Sequence, residues 1–118
     1  MTNYFISYSL KRDELIFLGK VLDQRRMFFK VFNKSKPSKD HLNIKRKILS
    51  GINFEDTVST ISFQKRELAY LNNVLLQYFI SLLKNDLFQD EKQYIHLLKE
   101  FTEKLGENNI KVFDELFN

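Results

Sequence analysis

The chain has 118 residues, 43% of them hydrophobic and 29% charged, with a formal net charge of +4 and no cysteine. That size and apolar content let a single domain, 1–118, bury about two-thirds of its unfolded-chain surface without staples, while the absence of thiols excludes disulfides, thiolate metal sites, iron–sulfur clusters and cysteine nucleophiles. The amino end lacks a basic leader followed by an unbroken apolar run, and no stretch reaches the roughly 18 apolar residues of a spanning helix, so a cytoplasmic protein without membrane association is expected.

In chain order, Tyr4, Ile6, Tyr8 and Leu10 alternate with Phe5, Ser7 and Ser9, the period of a half-buried strand. A long helical pattern follows from Lys11 to about Phe32, with Asp13 and Glu14 at its positive end and a cap at either Ser9 or Lys11. The loop Asn33 to Pro37 ends it, and Ser38 is the expected N-cap of a second helix running to Ser50, with Gly51 as its stop. The apolar set of that helix is thin: Leu42, Ile44, Ile48, Leu49 and Ile52. Val58 to Phe63 reads as a second, weaker strand with Ile61 and Phe63 inward. Helix 64–84 is apolar on most of its circumference and is expected to be the central buried element. Asp90 is the expected cap of a helix carrying Tyr94, Leu97, Leu98, Phe101 and Leu105, closed by Gly106, and Ile110 to Phe117 suggests a short terminal helix.

The chain also repeats itself. At an offset of 53, residues 9–24 and 62–77 match at Ser9/Ser62, Glu14/Glu67, Leu15/Leu68, Leu18/Leu71, Val21/Val74, Leu22/Leu75 and Gln24/Gln77. The retained leucines and valine mark one helix face, so what persists is a way of packing. The expected fold is mainly α (α+β): two diverged strand-helix-helix halves, 1–55 and 56–118, with pseudo-twofold symmetry and two short strands.

No phosphate loop, nucleophile elbow or paired histidine at helical spacing is present. A metal site would need His41 and His96, the two histidines, to converge with carboxylates such as Asp40 or Glu100 from other parts of the chain. The acidic groups Asp86, Asp90, Glu91 and Glu100, Glu103, Glu107 are spaced as solvated helix faces, with Glu100 and Lys104 an i,i+4 pair. The chain is therefore expected to be no enzyme and to carry no metal and no cofactor.

Charge separates the halves. Residues 1–55 hold twelve basic and five acidic side chains, a net +7, against seven and ten in 56–118, a net −3. The basic charge gathers in Arg25, Arg26, Lys30, Lys34, Lys36, Lys39, Lys45, Arg46 and Lys47, opposed there by Asp40. This patch is the candidate binding surface, with a solvated face that has no dedicated partner as the third reading beside the two that follow. An acidic protein partner would use it with an apolar anchor such as Met27 or Phe28 at its edge. Nucleic acid is the alternative, with phosphates on the basic groups and Phe28, Phe29 or Phe32 stacking bases. Phe88 and Phe117 are further candidate anchors in the second half. The expected function is a small non-enzymatic regulatory or inhibitory protein acting on a protein partner, and the composition is that of an AT-rich gene of the kind frequent in phages and mobile elements.

Strand, helix, helix, twice over, is similar to the element order of ribbon-helix-helix repressors, whose paired strands enter the major groove. The resemblance would make this chain a single-chain pseudo-dimer and would set Phe5, Ser7, Ser9, Ser59, Thr60 and Ser62 against bases. It rests on element order and no motif: the first helices are about twice too long, the turn between helices lacks the family's usual glycine, and the central strand positions carry no Arg, Lys, Asn or Gln.

Overall fold

The computed structural model describes residues 5–28, 38–52 and 57–117, excepting the side chains of 26–28, 107–109 and 112. The described residues are mostly helical, with two short antiparallel strands. Strand β1 spans Phe5–Lys11, α1 Arg12–Phe28, α2 Lys39–Ile52, β2 Val58–Gln64, α3 Lys65–Lys84, α4 Phe88–Glu91, a 3-10 turn Lys92–Tyr94, α5 Ile95–Leu105 and α6 Glu107–Phe117. By its internal contacts the chain divides into two compact units, Met1–Leu71 and Asn72–Asn118, with the boundary inside α3.

In the first unit β1 and β2 pair in the register Phe5↔Gln64 through Tyr8↔Ile61 to Lys11↔Val58. The Arg12 N–H donates to the Thr57 carbonyl at 3.3 Å, one step beyond that ladder. Hydrogen-bonded and non-hydrogen-bonded pairs alternate along an antiparallel ladder, so Leu10/Ser59, Tyr8/Ile61 and Ile6/Phe63 exchange backbone bonds while Ser9/Thr60 and Ser7/Ser62 do not. Side chains approach more closely at the second kind of pair, and the Ser7 and Ser62 hydroxyls bond at 2.7 Å. Leu10, Ile61 and Phe63 point into the core and Phe5, Ser7, Ser9 and Thr60 point out, as the alternation predicts.

Both strands run straight into helices, and the caps resolve the sequence ambiguity. Glu14 Oε1 accepts the Lys11 N–H at 2.8 Å, and Glu67 Oε1 accepts the Gln64 N–H at 2.8 Å. Lys11 and Gln64 are therefore the N-cap residues, each with the glutamate three residues on reaching back to an orphan donor. Beyond the caps, Leu15, Leu18 and Leu22 on α1 and Leu68 and Leu71 on α3 are fully buried with Ile44 and Ile48 of α2.

Ser38 caps α2, its Oγ accepting the His41 N–H at 3.2 Å. Gly51 does not stop that helix; it lies inside it. A Cβ at Gly51 would sit 2.9 Å from Leu15 Cδ1 and 3.0 Å from Ile61 Cδ1, so the missing side chain is what lets α2 close onto α1 and β2.

In α3, Leu68, Leu71, Val74, Leu75, Phe79 and Leu82 form a buried face, while Tyr70, Leu76, Tyr78 and Ile80 are half-exposed and Leu83 is exposed. The helix thus buries one face and part of its flanks, and its half-exposed tyrosines find hydroxyl partners, Tyr70 at His41 Nδ1 and Tyr78 at Glu91 Oε1. It ends in a Schellman turn: Asp86 has φ 56° and the Leu87 N–H returns to the Leu82 carbonyl at 2.9 Å. Asp90 caps nothing. It falls within the one-turn helix α4, and α5 starts after the 3-10 turn with Tyr94 at its N-cap and no side-chain cap bond. Gly106, at φ 122°, closes α5 as expected. In this second unit the Thr102 hydroxyl donates to Asn72 Oδ1 at 3.1 Å, a buried polar link between α5 and α3. No helix among the described residues is long and apolar enough to cross a membrane.

Candidate functional site

Of the nine basic residues singled out above, Arg25, Lys39, Lys45, Arg46 and Lys47 have described side chains, whereas those of Arg26, Lys30, Lys34 and Lys36, with the anchors Met27 and Phe28, lie outside the described residues. Three of the five are engaged by side chains or backbone of other elements. Lys45 pairs with Asp23 of α1. Lys47 Nζ donates to Glu67 Oε1 at 2.7 Å and to the Ser62 carbonyl at 2.9 Å, and stands 5.6 and 5.8 Å from the Phe5 and Phe63 ring centres. It ties α2 to β2 and to the cap of α3 at once, with its ammonium within cation–ring range of both phenylalanines. Arg25 is half-buried and shares a hydrogen bond with the Tyr70 hydroxyl. Lys39 and Arg46 are exposed. Asp40, the one acid within the patch, is bridged by Arg66 at 3.2 Å.

Two exposed leucines share the face of Lys39 and Arg46. Leu42 and Leu49 are 38% and 45% exposed. They lie seven residues apart and so share a face of α2 with the two basic residues between and before them, while Ile44, Ile48 and Gly51 occupy the buried face. Sequence reasoning placed all five apolar residues in one thin set. The separate 42/49 and 44/48/51 spacings were the signal that two faces were present.

The C-terminal half of α2 and strand β2 bound an open groove of about 690 Å³, with Arg46, Lys47 and Ser50 on the helix side and Val58 to Ser62 on the strand side. Its floor is drawn together by the Ser59 hydroxyl donating to the Gly51 carbonyl at 3.2 Å. The outer face of the strand pair adjoins it, carrying Phe5, Ser7, Ser9, Lys11, Thr60, Ser62 and Gln64. Each strand runs one residue beyond the central positions, so Lys11 and Gln64 join the ribbon at its two ends.

The two histidines lie on different helices, His41 on α2 and His96 on α5. His41, fully buried, has Nδ1 2.8 Å from the Tyr70 hydroxyl with the rings edge-on, and His96 has Nδ1 2.8 Å from the Gln93 carbonyl oxygen. Burial pushes the Tyr70 phenol above its ordinary 10.0, against the opposing pull of hydrogen bonds from Ser38 and Arg25. In the second unit Phe88 and Phe117 are half-buried, stacked on one another at 5.8 Å and set edge-on to Phe79 at 6.1 and 6.2 Å. They make an aromatic cluster, beside which Leu87 and Leu116 are exposed. Comparison of the chain with protein-family models, with curated proteins and with solved structures finds no match.

Proposed function

We propose that the chain is a small non-enzymatic regulatory or inhibitory protein that acts by binding an acidic protein partner through the outer face of α2. The observation that carries this reading is the alternation of Lys39, Leu42, Arg46 and Leu49 on that exposed face. Burying an exposed leucine against a partner contributes about 1.5–3 kcal/mol at most, and exposed basic residues beside it steer and orient an acidic surface more than they hold it. Phosphate binding asks instead for several cations without carboxylate partners, and Lys45 and Lys47 already have Asp23 and Glu67.

The same proposal includes the origin of the fold as one strand-helix-helix unit duplicated within the chain. The 53-residue offset carries β1 onto β2 and the start of α1 onto the start of α3. It also carries the end of α2 onto the end of α5, and the Glu14 cap onto the Glu67 cap. Tyr8 and Ile61 are 53 apart and directly opposite each other, at the centre of seven pairs. A pseudo-twofold axis through that pair is what an antiparallel ribbon built from two copies of one strand requires. This ribbon also favours the nucleic-acid reading, because hydroxyl side chains can meet base edges in a groove and the outer face holds Ser7, Ser9, Thr60 and Ser62 between Lys11 and Gln64.

Affinity capture with the full chain from host lysate, with and without nuclease, separates the two readings. A protein partner survives nuclease, and Lys39→Glu with Arg46→Glu slows its association about tenfold without altering the fold. Loss of the complex on nuclease treatment, together with duplex binding whose log affinity falls at a slope of about −4 against log salt, would establish the nucleic-acid reading instead.

A further inference from the structure

The backbone of β2 offers an edge to which a further strand can add. Because Ile61 and Phe63 exchange bonds with β1, the N–H and C=O groups of Val58, Thr60, Ser62 and Gln64 point away from it. Two of these are already used in that direction, the Gln64 N–H by Glu67 and the Ser62 carbonyl by Lys47, which independently fixes the orientation. Among the described residues no backbone group pairs with the outward groups of Val58 and Thr60 or with the Ser62 N–H. They open into the groove of about 690 Å³ whose far wall is Arg46, Lys47 and Ser50.

We infer that this edge takes an extended acidic segment of the partner protein as a third strand. The inference rests on the protein-binding reading above and names the form and chemistry of what is bound. Main-chain bonds to Val58, Thr60 and Ser62 supply the attachment, and the groove wall selects side chains. None of the described residues lining the groove is acidic, and exposed Arg46 stands over it, so carboxylates of the added strand meet a positive wall. A second copy of this chain fits less well. Pairing two β2 edges about a twofold axis would bring Arg46 and Lys47 of each copy toward the same groups of the other, a like-charge juxtaposition in a half-buried groove.

The test is selection of randomised twelve-residue peptides on the immobilised full chain, followed by affinity measurement of the enriched peptides on variants. Enriched peptides should be acidic and should bind as extended chains, with N-methylation at alternate residues weakening them about tenfold or more. Thr60→Pro removes an outward donor without touching a bond to β1, and proline is tolerated on strand edges. It should weaken the same peptides by a similar factor, and Arg46→Glu should reverse the preference for acidic sequences. Should Thr60→Pro unfold, as circular dichroism would reveal, the methylated peptides on the unaltered chain decide the matter. Failure to enrich acidic peptides, or equal binding of methylated and unmethylated forms, overturns the inference, as does a concentration-dependent dimer that Thr60→Pro dissociates. A nuclease-resistant partner captured equally by Thr60→Pro leaves the protein-binding reading standing and removes this one.

Discussion

Glu67 Oε1 accepts both the Gln64 N–H and the Lys47 ammonium, and its side chain is almost wholly buried, whereas Glu14 accepts the equivalent Lys11 N–H at the head of α1. Removing a capping side chain costs about 1 kcal/mol, which is the loss expected for Glu14→Ala. Glu67→Ala should cost about 2–3 kcal/mol, because it also strips the carboxylate from a partly buried cation. Chemical denaturation of the two variants, with Lys47→Ala closing a double-mutant cycle, measures the difference. The cycle should show coupling for Glu67 and none for Glu14. Tyr70 gives a second residue-level expectation. Its phenol is raised by burial, so above pH 10.0 the unfolded chain loses a proton that the folded one keeps. Stability attributable to this group is then complete below that pH and falls as pH rises beyond it. Tyr70→Phe should flatten the alkaline decline relative to the parent while costing about 1 kcal/mol at neutral pH, from the lost bond to His41. Parallel thermal melts from pH 8 to 11 read both effects.

At the scale of elements, α3 shows how far one buried face accounts for a helix. Leu75 is fully buried and Leu83 is 38% exposed. Leu75→Ala should cost about 2–5 kcal/mol through lost transfer energy and the cavity left behind, and Leu83→Ala no more than about 0.5 kcal/mol; urea midpoints compared at constant slope test the contrast. The strands and the starts of α1 and α3 were legible because their signals are local: alternation at Ile6, Tyr8 and Leu10, and acidic residues three positions after the cap. The ends of α2 and α5 were not read equally well. Gly106 stops a helix because its φ of 122° suits no other residue, while Gly51 lies in the last turn of α2 where a Cβ would press on Leu15 and Ile61. A sequence shows the same letter for both, and only packing tells them apart. Asp90 failed as a cap for a related reason: a short α4 and a 3-10 turn intervene before α5, and nothing in residues 88–94 separates that broken start from a continuous helix.

For the whole molecule, charge counting located the basic region but not the partners of its side chains. Lys45 and Lys47 are drawn into pairs with Asp23 and Glu67, residues distant in sequence, and such pairing cannot be read from composition. Among the described residues of that region, Lys39 and Arg46 are exposed and alternate with Leu42 and Leu49 on α2, next to a groove edged by β2, where no described backbone group pairs with the outward groups of Val58 and Thr60. On the proposed reading, binding falls on 39–52 and 58–62 and not on the aromatic cluster of Phe79, Phe88 and Phe117. Hydrogen–deuterium exchange on the full chain, with and without its captured protein partner, tests that placement most directly. Protection gained at the Thr60 and Ser62 amides and along α2, with 95–117 unchanged, is the expected result. Protection confined to 95–117, or spread over the basic region only when nucleic acid is present, would contradict it.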